Sequence, residues 1–208
     1  MLNQSHESKA ISNMSAIDAI YSRHAIRHYK DEIVDSELID ALLDAAVQAP
    51  SAMHESPWAF MIIQDKSLLH AISEDAKQSI LNKDSHSSLA AKHGIEIVSQ
   101  KDFEIFYNAN TLILICSRFQ GPFVQADCWL AAENLMIAAC AKGLGSCVIG
   151  FAIETLNTNL WKERLGIPLT MTVVAPIIVG IPSGEPSPIN RKPPKIVAWR
   201  SLALESEI

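Results

Sequence analysis

Along this 208-residue chain the apolar positions follow two patterns, helical spacing and short unbroken runs. Ile17 and Ile20 share one face of a first predicted helix, residues 15–23. Leu38, Ile39, Leu42, Leu43 and Ala46 recur at the spacing of a second. Asp35 is placed to cap its start. Pro50 is placed to stop it, because the residue before a proline disfavours helix. Residues 58–64 read as a buried strand and 66–81 as a helix. Residues 111–117 read as a strand covered on both faces, since their apolar run is continuous. Residues 123–142 are apolar almost all round, which marks a helix buried in a core or a subunit seam, and Gly143 is placed to cap it. Then come a strand over 145–151, an amphipathic helix over 153–165 and a last central strand over 172–180.

Other segments carry no such period. Residues 1–14 read as a flexible leader, and 15–208 as a single domain. Residues 82–102 are polar, rich in Ser, His and Lys, and are expected to be mobile. From Ile181 the chain is held by Pro182, Pro186, Pro188, Pro193 and Pro194. Residues 181–208 therefore form an extended arm with no core of its own, expected to lie along its own subunit or another. Strands and helices mix without strict alternation, so the class is α+β with helices packed on a central sheet.

Composition adds a hidden surface. Hydrophobic residues make up 49% of the chain and charged residues 19%, against about 25% charged in an average soluble domain. That excludes a disordered chain and implies apolar surface covered by a partner. With 17 basic against 23 acidic residues the net charge is −6, which argues against a nucleic-acid binder. No apolar run approaches the roughly 20 residues that span a bilayer, and the N-terminus has no apolar signal core. Cys116, Cys128, Cys140 and Cys147 lie in apolar contexts without metal-site spacing. Buried thiols in a reducing cytoplasm are the expectation.

Four constellations carry candidate chemistry. Arg23 and Arg27, four apart, would share a helix face and make a fork for a phosphate; the plainer reading is a solvated basic helix end. Pro50-Ser51-Ala52-Met53-His54 joins a buried helix to a buried strand, where binding loops are common; the plainer reading is an ordinary turn. Gly143-Leu144-Gly145 precedes a strand rather than a helix, so it is no dinucleotide fingerprint. Its glycines either admit something flat or merely cap the long helix. Arg191 and Lys192 sit in the arm, where they reach a phosphate or only solvent. No nucleophile elbow, zinc helix, P-loop or carboxylate pair is present. An enzyme built this way leaves the chemistry to a cofactor.

Taken together, SRHAIRHY (22–29), AAVQAPSAMHESPWAF (45–60), GLGSCVIGF (143–151), VVAPIIVG (173–180) and NRKPP (190–194) resemble the nitroreductase family of FMN-dependent oxidoreductases, from about residue 17 to 199. The resemblance implies a mostly antiparallel central sheet flanked by helices, in a homodimer with FMN at the interface. It implies that Arg23, His24, Ala25 and Arg27 hold the phosphate and ribityl end, joined by Arg191. Pro50, Ser51, Ala52 and His54 would approach the flavin ring from the other subunit, and the backbone of Val148, Ile149 and Gly150 would lie near its reactive edge. The implied activity takes hydride from NADH or NADPH and reduces small electron-poor acceptors (nitroaromatics, quinones or enones) by a ping-pong mechanism. No nucleic-acid or membrane partner is implied. The sequence departs from the family pattern at Ala25, where a serine is common, and in the loop, where His54 and Ser56 replace Asn and Gln. A His there also resembles the halotyrosine dehalogenase branch. The alternatives are therefore a reductive dehalogenase-like flavoenzyme and a non-catalytic flavin-binding protein.

Overall fold

The computed structural model of the chain describes residues 14–82, 89–100, 103–184 and 190–200. The expected leader, 1–14, falls outside them except for Met14. The unbroken apolar runs become β2 (Thr111–Ser117) and β4 (Thr172–Gly180), paired antiparallel at the centre of a four-stranded sheet. β1 (Trp58–Ile63) flanks β2 and β3 (Gly145–Val148) flanks β4, giving the order β1-β2-β4-β3 with every pair antiparallel.

Both faces of the sheet are covered. Ile113, Ile115, Ala175 and Ile177 pack against α2 (Ser36–Ala46) and α5 (Val124–Ala141). Leu112, Leu114 and Ile178 pack against α3 (Lys66–Leu81) and the segment 152–167. Each large apolar side chain so buried contributes roughly 1.5–3 kcal/mol. Helix starts follow local cap chemistry. The Asp35 carboxylate accepts from Leu38 N–H at 2.8 Å, and Asp65 accepts from Ser67 and Leu68. Ser15 caps α1 (Ala16–Ser22) by accepting from Asp18 N–H. Gly143, at φ +74°, takes the left-handed turn that ends α5.

Three sequence expectations are corrected. The polar stretch 82–102 contains a helix, α4 (Leu89–Val98). Its Gly94 lies against the Phe151 ring and its Val98 is buried, so a small and an apolar residue four apart give it a packed side. The strand expected over 145–151 stops at Val148. Its pairing partner explains this: Ile149 N–H donates to Pro176 O at 2.8 Å, but Pro176 has no N–H to return. The Ile149 carbonyl instead accepts from Ala152 N–H and opens a short 3₁₀ turn, residues 150–152. The helix expected over 153–165 is two, α6 (Ile153–Leu156) and α7 (Asn159–Leu165). Between them the Asn157 amide pairs with both backbone groups of Val173 at 2.8 and 2.9 Å, replacing a strand neighbour, and Thr158 caps α7.

All four cysteines are free. Burial pushes the Cys116 thiol up to about 11 and Cys128 up to about 12, so they act as small hydrophobes. Among the described residues no helix is long and apolar enough to cross a membrane. Residues 190–200 form neither helix nor strand and are exposed, Val197 at 92% and Trp199 at 83%.

Candidate functional site

The basic strip 23–29 is not helical. α1 ends at Ser22, and Arg23 turns extended with ψ 128°. From there the chain runs beside β3: Ile26 N–H donates to Ser146 O at 3.0 Å, Ala25 bridges Ser146, and Tyr29 bridges Pro182. Two glycines make room for it. A Cβ on Gly145 would lie 2.8 Å from Ile26, and one on Gly180 would lie 2.7 Å from the Tyr29 ring. The Tyr29 hydroxyl donates to Ile26 O at 2.7 Å, pinning the strip to itself.

The expected helix-face fork of Arg23 and Arg27 therefore does not form. The extended chain separates them, by roughly 3.3 Å per residue, into two clefts. Arg23 lines a small one of about 180 Å³ with His24, Ile26 and Cys140, and its Nε pairs with Glu133 of α5 at 3.3 Å. Arg27 lines a cleft of about 340 Å³ with Val148, Ile149, Gly150, Phe151 and Tyr107, its guanidinium 5.7 Å from the Tyr107 ring centre. The structure thus joins Arg27 to the 148–150 backbone. Nothing lies within 4 Å of a Cβ position on Gly150, so its backbone is open to a flat ligand.

His24 carries an orphaned atom. Its Nδ1 lies 2.7 Å from Ser22 O, which can only accept, so Nδ1 holds the proton. Its Nε2 is buried without a partner. A buried polar atom normally has one, so the ring is set for a group the chain does not itself supply.

The loop 50–56 is built differently. Met53 (φ 53°), His54 (φ 59°) and Ser56 (φ 44°) all lie in the left-handed region, which costs a residue with a side chain roughly 1–2 kcal/mol. Ser51 Oγ accepts from Ser56 N–H at 3.0 Å, and Ala52 N–H donates to Asp127 of α5 at 3.2 Å. Pro50, Met53 and His54 are exposed, and Pro50, Ser51, Ala52 and His54 line neither cleft. Arg191 lies in the exposed stretch 190–200 and also lines neither. Sequence reasoning missed Tyr107, Glu133 and Asp127. Asp127 had a signal, a carboxylate inside an otherwise apolar helical run; Tyr107 had none.

No carboxylate–histidine or nucleophile–base pair lines the cleft that Arg27 shares with Val148, Ile149 and Gly150. Its thiol, Cys147, is pushed up by burial, away from nucleophilic use. Fold and site define an α+β protein whose sheet ends in an open cleft between an arginine-bearing strip and bare glycine backbone.

The chain belongs to the nitroreductase family, whose sequence profile matches residues 20–181. A relative from Archaeoglobus fulgidus, whose name couples NADH dehydrogenase with NAD(P)H nitroreductase, is 30% identical over 171 residues, covering 80% of this chain and 84% of its own. The iodotyrosine deiodinase of Thermotoga neapolitana is 29% identical over 133 residues, 62% of this chain and 70% of its own. Among solved structures, an FMN-dependent nitroreductase from Clostridium difficile R20291 superposes with TM-score 0.73 at 26% identity, covering 88% of this chain and 98% of its own.

Proposed function

We propose that the protein is an NAD(P)H-dependent FMN oxidoreductase that works as a homodimer and reduces small electron-poor acceptors such as nitroaromatics, quinones or activated enones. The carrying observation is the Arg27 cleft, where a guanidinium and open backbone at 148–150 meet without a side-chain catalytic pair. The names of the relatives agree. When bound, FMN would accept hydride from NADH or NADPH and pass electrons to the acceptor, one site serving both in turn, hence ping-pong kinetics. The four free thiols fit a reducing cytoplasm.

The chain's own residues would hold and orient. Arg23 and Arg27 would reach the phosphate from their two neighbouring clefts rather than as one helix-face fork, joined by Arg191, each planar guanidinium matching the phosphate. His24, its proton fixed on Nδ1 by Ser22, offers Nε2 to a ribityl hydroxyl. Ala25 supplies only backbone there. Val148, Ile149 and Gly150 lie against the flavin ring, where Gly150 offers no Cβ to hold it away. Pro50, Ser51, Ala52 and His54 approach the ring of the partner subunit's flavin, which suits a loop exposed on its own chain. The exposed apolar side chains of Ile196, Val197 and Trp199 supply arm surface for that dimer.

The test is the visible spectrum of the purified protein. It should show bound flavin that bleaches when NADH or NADPH is added. Protein that takes up no FMN overturns the reading, and full occupancy without bleaching points to flavin storage. The double change Arg23→Ala, Arg27→Ala should weaken FMN binding by at least about tenfold, consistent with losing two charge-assisted contacts; unchanged affinity refutes the phosphate assignment. A second reading, reductive dehalogenation, is favoured by His54 and by the deiodinase relative. Anaerobic reoxidation of the reduced protein decides: nitro compounds or quinones should be faster than halotyrosine.

A further inference from the structure

We infer that Asp127 is a positioning residue: its carboxylate, through the Ala52 N–H, holds the loop 51–56 in the form that meets the flavin. This rests on the function proposed above for what the loop touches, but not for how the loop is held. Asp127 is only 6% exposed, in the first turn of α5. Among the described residues no cation lies within ion-pair distance of it. Burying an unpaired carboxylate is costly, and an exposed one would serve the helix dipole as well. What this one has is the Ala52 amide at 3.2 Å.

That bond is the loop's one hydrogen-bonded tie to the rest of the described protein. The other bonds of residues 51–56 close within the segment: His54 N–H to Ser51 O, Glu55 N–H to Ala52 O, and Ser56 N–H to Ser51 Oγ. Packing does not hold the left-handed residues, since Met53, His54 and Ser56 are all exposed. Met53, His54 and Ser56 nevertheless stay left-handed. Such conformations persist only where their surroundings over-determine them. Here the surroundings reduce to the internal bonds and one carboxylate on the helix behind.

Two substitutions remove the bond from opposite ends. Asp127→Ala removes the acceptor. Ala52→Pro removes the donor without straining the backbone before it, because Ser51 is already extended (φ −133°, ψ 147°) and residue 52 opens a helical turn; since Ala52 also faces the flavin, its loop exchange without FMN is the reading that isolates the tie. Asp127→Asn removes the charge and keeps an acceptor oxygen, separating this bond from any helix-dipole role.

Hydrogen exchange of the loop amides, measured with and without FMN, reads the anchor directly. Amides of 53–56 should exchange at least about tenfold faster in Asp127→Ala and Ala52→Pro, with β2 unchanged, as expected for a local opening. FMN dissociation constants should rise about tenfold in both variants, stay within about threefold of wild type in Asp127→Asn, and be no worse in the double variant Asp127→Ala, Ala52→Pro than in either single one. Unchanged exchange, additive defects, or an Asp127→Asn variant as impaired as Asp127→Ala would overturn the inference. If the wild-type protein binds no FMN, the proposed function fails while the exchange arm still decides whether Asp127 anchors the loop.

Discussion

The strip 23–29 and the loop 50–56 are the two irregular pieces of the candidate site, and they are held by opposite means. The strip is an extension of the sheet, admitted by missing side chains at Gly145 and Gly180 and secured by backbone bonds to Ser146 and Ser183. It is unstrained and fits by subtraction of volume. The loop carries three left-handed residues and one bond to the helix behind it. One piece is fixed by available space, the other by a tether opposing local strain. Space should be intolerant of small additions, whereas strain should be relieved by glycine.

Three substitutions test that contrast. The largest effect is expected from Gly145→Ala, whose Cβ would meet three Ile26 atoms at 2.8 Å, including the Cβ fixed to the backbone. Displacing the strip should cost about 3 kcal/mol, measured by denaturant unfolding. Gly180→Ala should cost about 1–2 kcal/mol, because its main clash at 2.7 Å is with the edge of the Tyr29 ring, which can tilt. Met53→Gly should do the reverse and raise stability by about 0.5–1 kcal/mol, the left-handed penalty less the extra entropy of glycine. A harmless Gly145→Ala would show that the strip is loosely docked. A destabilising Met53→Gly would show that Met53 is not strained where it stands.

The same division decides what could be read from sequence. β2, β4, α3 and the Asp35 cap are set by adjacent residues, through an unbroken apolar run or a side chain reaching three residues along, and they stand where the pattern puts them. The errors have causes that lie far along the chain. β3 stops because Pro176, on a different strand, cannot donate. The helix over 153–165 breaks because Asn157 pairs with Val173. α4 sits between polar flanks, which hide its packed side, Gly94 against Phe151 and a buried Val98. At the site, Arg27 and the 148–150 backbone meet in one cleft, but the helical face predicted for Arg23 and Arg27 rested on a helix that ends at Ser22. The tie between Ala52 and Asp127 spans 75 residues, and no local pattern encodes it.

The strip's place beside β3 also bears on solubility. β3 is an outer strand of the sheet, and an outer strand with free backbone groups is a template on which another chain can add. Ala25 and Ile26 occupy that template through Ser146. The segment proposed to grip a phosphate therefore also acts as the sheet's edge guard. A substitution that dislodges it exposes a bare strand to other copies, so aggregation on storage is the expected companion of lost ligand affinity.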